Sequence, residues 1–304
     1  MELKKIFMVF FTIIVCVGLV IASMYVYLHF TNKEDQKIKT LVYDPIISKD
    51  DFPRVEGIYL TTSLIDAFKE NFVGEVDEKT QYVESEIEAY KDLVGNRTDI
   101  VIGLLPTDEE KKIASSEGIE LEMRQICNEG FVFIVNKNNK VDSLTIEQIL
   151  KIYDGEIKNW SEVGGDDIEI KAFQREKNSI NQEGMQNLVM KKPSATQKGE
   201  VSEDGYSLSN VVDEYDNSKG AIGYCYYKYA ETVYSQDEVK MISINGIKPT
   251  EENIKNGKYP LRSGYYVILK ASAAPDSNIR KIVDAMFSDR GKSVVKEAGY
   301  VTIE

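Results

Sequence analysis

From residue 130 to residue 190 the chain passes through a series of patterns that constrains its fold more tightly than any other stretch. Five consecutive apolar residues (FVFIV, 131–135) read as a buried strand, and LTIEQILKIYDG (144–155) sets apolar side chains at helical spacing. A loop carrying Trp160, the single tryptophan, leads to a second strand pattern (IEIKAF, 168–173) and then to REKNSINQ (175–182), which opens another helix. Strand, polar loop and helix start in that order aim unpaired backbone N–H groups and a partial positive charge at the mouth of the loop. Anion capture is therefore the first functional expectation.

The same alternation extends along most of the chain and predicts an α/β fold. Helices are expected at 62–72, 86–94, 108–116, 207–215, 251–256, 278–287 and 291–297, and strands at 99–104, 119–124, 221–224, 239–244 and 265–270. No internal repeat is visible. The polar run KKPSATQKGEVSEDG (191–205) reads as a surface loop.

Residues 6–30 form an uncharged apolar run of 25, preceded by Lys4 and Lys5. A helix of ~20 residues crosses a bilayer, whereas a cleaved signal has an apolar core of about 7–15, so an uncleaved anchor is expected. The lysines place the N-terminus in the cytoplasm, which predicts a single-pass protein of the cell membrane with its C-terminal domain extracellular. Tyr25, Tyr27 and His29, the single histidine, fall at headgroup level. Cys16 as a lipid-modified anchor is a weak match, because Ile14 and Val15 precede it instead of small residues. Cys127 and Cys225 have no framework spacing and read as small buried hydrophobes, with pairing left open.

The formal charge is −13, and the first 32 residues contribute +1, so the remainder carries −14. No basic stripe offers itself to a phosphate backbone, which excludes a nucleic-acid partner. A small anion stays possible, because amides, hydroxyls and one arginine act at contact range while distant charge is screened. With no nucleophile–base pair, metal cluster or cofactor motif in the sequence, an enzyme is not expected, nor a cofactor or a metal.

The run FVFIVNKNNKVDSLTIEQILKIYDGEIKNWSEVGG resembles the phosphate-binding proteins that serve ABC-type phosphate importers. The matching positions are Asn136, Lys137, Leu144, Thr145, Gln148, Ile149, Tyr153, Gly155, Asn159, Trp160, Val163, Gly164 and Gly165. Further matches are FPRVEG (52–57), EAYKDLV (88–94), PTDEE (106–110), YDNSKGAIGY (215–224), SINGIKPTEENIKNGKYPL (243–261) and AGYV (298–301). The resemblance implies a two-lobed class II periplasmic-binding-protein fold with two crossover strands, near 131–135 and 265–269. On that basis residues 1–32 are cytoplasmic tip and anchor, and 33–50 are connector. Residues 51–132 with 265–304 form lobe 1, and 133–264 form lobe 2. It also implies an ABC permease as partner and closure of the lobes on a solute.

Carried over position by position, the resemblance assigns phosphate or a related oxyanion to Thr61, Arg175, Ser179 and Asn181. Ile58 and Tyr59 stand where hydroxyl residues are expected. Glu86 and Ile87 replace a small hydroxyl residue, Leu105 replaces an acid, and Ile180 replaces a glycine. Structural readings compete at each retained position. Ser179 with Gln182 three residues on is a capping box, and Arg175 has many surface acids to pair with. Trp160, Tyr153 and the tyrosine-rich run 223–234 read as packing. The alternative is a degenerate or repurposed module of the same fold, binding a different ligand or a partner protein at the membrane surface.

Overall fold

A computed structural model describes residues 44–74, 80, 82–83, 85–175, 179–191, 200–201, 218–233 and 238–303. The expected anchor (6–30), most of the connector, the helix expected at 207–215 and most of the loop 191–205 lie outside the described residues. Among the described residues no helix is long and apolar enough to cross a membrane.

The strands in chain order are β1 (Val55–Gly57), β2 (Ile100–Leu104), β3 (Leu121–Asn136), β4 (Ser143–Leu144), β5 (Lys171–Gln174), β6 (Glu200–Val201), β7 (Ala221–Tyr226), β8 (Val239–Met241), β9 (Ser243–Ile244), β10 (Arg262–Lys270) and β11 (Val301–Thr302). The helices are α1 (Thr62–Val73), α2 (Glu86–Val94), α3 (Asp108–Ser116), α4 (Ile146–Tyr153), α5 (Ile180–Gly184), α6 (Tyr227–Val233), α7 (Glu251–Lys255), α8 (Asn278–Met286) and α9 (Asp289–Glu297). A short 3-10 turn (Trp160–Val163) precedes β5, and α5 runs on as a wider π turn (Met185–Met190).

The strand order β1-β2-β10-β3-β7-β5-β6 makes β3 the member common to two half-sheets. Up to Gly130 it pairs antiparallel with β10, and from Phe131 onward with β7. β11 joins the first part of β3 and β8 the second. Strand β2 (IVIGL) and the stretch 131–135 are buried throughout, as expected of strands covered on both faces. β4 and β9 form a separate two-stranded parallel ladder.

β3 is longer than its pattern suggests. The sequence places separate strands at 119–124 and 131–135, but the polar stretch QICNEG (125–130) continues the strand between them. Asn128 is satisfied inside the sheet: its Nδ2 donates to Thr302 O at 2.8 Å, and its Oδ1 accepts from Arg262 Nη2 at 2.6 Å. The strand expected at 239–244 divides into β8 and β9: Ile242 N still donates to Phe133 O at 3.0 Å in continuation of the pairing with β3, and Ser243 then turns to β4, its N donating to Asp142 O at 2.9 Å. Within the tyrosine-rich run, β7 continues to Tyr226 and then turns directly into α6.

The motif that carries the resemblance has a local structural basis. Thr145 and Gln148 form a reciprocal capping box at α4, and Asn159 with Glu162 forms another at the turn carrying Trp160. The Trp160 indole is 1% exposed and donates Nε1–H to Gly220 O at 3.0 Å, joining this loop to the start of β7. Gly164 ends the turn at φ 88°, a left-handed conformation that a side chain disfavours. Cys127 and Cys225 are buried free thiols.

Candidate functional site

β1 ends at Gly57, where an added Cβ would lie 2.4 Å from Thr61 Oγ1 and 2.8 Å from Ile102 O. The missing side chain lets the buried Thr61 hydroxyl reach that carbonyl, to which it donates at 2.7 Å. A donor turned into the sheet in this way serves the backbone. Ile58 is buried core, bridged to Val83.

Tyr59 crosses instead to the second half-sheet. Its hydroxyl accepts from Asn181 Nδ2 at 3.1 Å, and its ring meets Tyr82 and Tyr229 edge-on. Burial pushes its phenol well up, with Arg175 opposing. Asn181 is 3% exposed, and its Oδ1 is buried without a hydrogen-bond partner.

Ser179 caps α5 by accepting from Gln182 N at 3.2 Å. The reciprocal half of the expected capping box is absent, because Gln182 Oε1 accepts instead from Arg175 N at 3.2 Å and from the Tyr224 hydroxyl. Arg175 is 6% exposed, so it is not the surface residue that one reading of the sequence allowed. Arg175, Ser179 and Asn181 thus gather at the start of α5, with Asn181 joined to the first half-sheet through Tyr59. Thr61 points elsewhere.

A recess of about 750 Å³ opens at the seam between the half-sheets. Glu86 and Leu105 line it from the first, and Glu183 and Tyr226 from the second. None of Thr61, Arg175, Ser179 and Asn181 is among its lining residues. Leu105, at the position where the resemblance expects an acid, stands 52% exposed at the rim. Ile180, replacing a glycine, packs into the core at the first turn of α5.

Electrostatically this recess is acidic. Carboxylate oxygens of Glu86, Glu110 and Glu183 lie within 4.8 Å of one another. Burial pushes the Glu86 carboxyl well up, and Glu110 and Glu183 add to the rise while the Leu104 amide opposes it. Glu110 is raised by burial against the pull of Thr107. Glu183 is pushed up to about 7 by burial, then by Glu110 and Glu109. The sequence singled out Glu86 but missed its two partners. Glu110 is the third residue of a capping box with Thr107, and that local role masks any other. Glu183 sits in a helix too short to show a periodic face.

The sequence pattern of the PBP superfamily domain matches residues 62–287. The phosphate-binding protein PstS of Borreliella burgdorferi is 27% identical over 180 residues, covering 58% of this chain and 64% of that protein. PstS of Staphylococcus haemolyticus is 29% identical over 222 residues, covering 70% and 68%. The chain thus spans about two-thirds of the length of these curated relatives. Among solved structures, a Clostridium perfringens protein assigned as a phosphate ABC transporter substrate-binding protein, with phosphate bound, is similar in fold. Its TM-score is 0.65 at 23% identity, covering 82% of this chain and 98% of that one. A pattern matched over that span, on a mixed α/β sheet with β3 common to both halves, places the protein in the PBP superfamily, where its curated relatives are phosphate-binding proteins.

Proposed function

We propose that the chain is a solute-binding protein of the ABC phosphate-importer type, working with a permease and held at the cell membrane through residues 6–30 with the remainder outside. Lobe 1 comprises residues 51–132 with 265–304, and lobe 2 residues 133–264, a division supported by β3, whose partner changes from β10 to β7 between Gly130 and Phe131, two residues before that boundary. The observation that carries this reading is the recess at that seam, lined from both half-sheets. A clamp of this kind binds by hinge closure and has no covalent step to perform.

Phosphate or a related oxyanion is the ligand class suggested by the relatives, with Arg175, Ser179 and Asn181, which gather at the start of α5 outside the lining of the recess, as its holders in lobe 2 once the lobes close. Thr61 contributes less than the resemblance implies, since its hydroxyl is committed to Ile102 O. A second reading, a cleft repurposed for another solute or a partner protein, is favoured by the acidic wall of Glu86 and Glu183. Carboxylates beside an unaccompanied phosphate repel it, and the carboxylate at position 86 accepts where a hydroxyl would donate.

Calorimetric titration of the metal-free full chain with phosphate, with sulfate as control, decides between the two. Saturable, phosphate-selective binding that is lost in Arg175→Ala supports the oxyanion reading. No heat and no thermal shift from a folded sample favours the repurposed cleft.

A further inference from the structure

We propose that the seam holds a divalent cation ligated by Glu86, Glu110 and Glu183, an inference that rests on reading the recess as the ligand site. Oxygen-bound cations such as calcium sit about 2.3–2.6 Å from each ligand, so two oxygens on opposite sides of one ion lie roughly 4.6–5.2 Å apart and adjacent ones closer. The three carboxylates, all within 4.8 Å of one another, match that spacing. Glu86 is 4% exposed and Glu110 1%, and carboxyls drawn this far out of water either keep their protons, the direction in which burial pushes both, or need a cation beside them to ionise. The basic residue acting on Glu110 is Lys111, an exposed side chain whose Nζ lies 3.8 Å from Asp108.

Two orphaned groups point to the same place. Glu110 Oε2 is taken by the Thr107 amide (2.7 Å) and hydroxyl (2.8 Å), while its Oε1 is buried with no hydrogen-bond partner. Independently, the fully buried Tyr90 hydroxyl also has no partner, and the charges acting on it are Glu86 and Glu110. A buried phenol whose charged neighbours are these two carboxylates is a group that could orient one of them once an ion draws the ligands together.

The donor set contains oxygen alone, which selects a hard cation of the calcium, magnesium or manganese class over zinc or copper. Glu86 and Glu110 belong to α2 and α3 beside the first half-sheet, and Glu183 to α5 beside the second. One ion would tie the two together and leave coordination positions facing the recess for water or for an oxygen of the solute. An oxyanion repelled by the bare carboxylates would then meet a site whose charge has been offset.

The test is calorimetric titration of metal-stripped full chain, near neutral pH, with calcium, magnesium and manganese chlorides separately. One saturable site is expected for at least one ion. Glu183→Gln should weaken binding at least about tenfold, the order lost when metal-site partners are removed. Glu86→Gln serves as the second variant, with circular dichroism as the check on folding. No saturable binding of any of the three ions to folded protein would overturn the proposal, as would affinities unchanged in both variants. Phosphate titrated into the metal-free and metal-loaded samples reports separately on solute capture. An ion bound without phosphate response supports the cation site alone, and phosphate bound by a chain that binds none of the three ions sinks the cation site alone.

Discussion

Replacing Glu129 by glutamine should make the protein more stable at alkaline pH while leaving it nearly unchanged below about pH 4. Glu129 lies on β3 one residue before Gly130, the last β3 residue paired with β10, and is 1% exposed. Its Oε1 accepts from the Gly130 amide at 2.8 Å and the Lys228 amide at 3.2 Å, and its Oε2 is buried without a hydrogen-bond partner. Burial pushes its carboxyl up from 4.5 to about 7, against the pull of Gly130, Tyr265, Lys228 and Tyr227. Because the folded value lies above the unfolded one, the native state holds the proton more tightly. Its contribution is present below the unfolded value and is lost as pH rises through about 7. At about 1.4 kcal/mol per unit, the full effect is about 3 kcal/mol, of which about 2.5 kcal/mol falls between pH 5 and pH 8. Glutamine keeps the acceptor for both amides and removes the ionisation. Urea unfolding followed at the buried Trp160 should show wild-type stability falling across that window, and the fall should be smaller by about 2.5 kcal/mol in Glu129→Gln. Other raised carboxyls contribute in the same direction, and comparing the two proteins cancels them. Parallel pH profiles for wild type and variant would refute the reasoning.

Trp160→Phe removes one of the two donors to Gly220 O, which keeps the Lys171 amide at 2.9 Å, so the lost hydrogen bond should cost about 0.5–1.5 kcal/mol in urea unfolding monitored by circular dichroism. Thr61→Val preserves shape but deletes the hydroxyl bonded to Ile102 O. It should lower stability by about 1–2 kcal/mol and leave any solute affinity nearly unchanged. A large loss of affinity without loss of stability would return Thr61 to the ligand site.

The scaffold was legible because its signals are local. The cap pairs Thr107–Glu110 and Thr145–Gln148, the apolar run 131–135 and the helical spacing of α8 each announce themselves within a few residues. The continuity of β3 was not legible. The polar residues at 125–129 are stabilised by partners on β10 and β11, more than a hundred residues away in sequence. Of the proposed site, Arg175, Ser179 and Asn181 lie within one short stretch of sequence, which is why a single motif offers all three. The acidic trio draws one residue from each of α2, α3 and α5, and only the packing of the half-sheets brings them within reach.

Similarity and departure in this chain fall on residues of different physical kinds. The matched positions Thr145, Gln148, Asn159, Trp160 and Gly164 cap helices, tie a loop to β7 or occupy a left-handed turn, and none of these duties depends on what is bound. Several departures cluster at or beside the seam, at Tyr59, Glu86 and Leu105. Relatedness to phosphate-binding proteins therefore measures the scaffold; on the reading proposed above, the charge at the seam sets the ligand. A double variant tests this separation. Glu86→Ser with Glu183→Gln places a hydroxyl at the start of α2 and removes two carboxyl groups, both pushed up by burial, so the comparison is made at about pH 8, above the value of about 7 for Glu183. At an effective dielectric constant of about 20, one unit charge roughly 8 Å from an anion contributes about 2 kcal/mol, so loss of the ionised Glu183 alone should raise phosphate affinity in metal-free buffer about tenfold or more. A folded double variant whose phosphate affinity matches that of the wild type would show that the acidic wall does not govern the ligand.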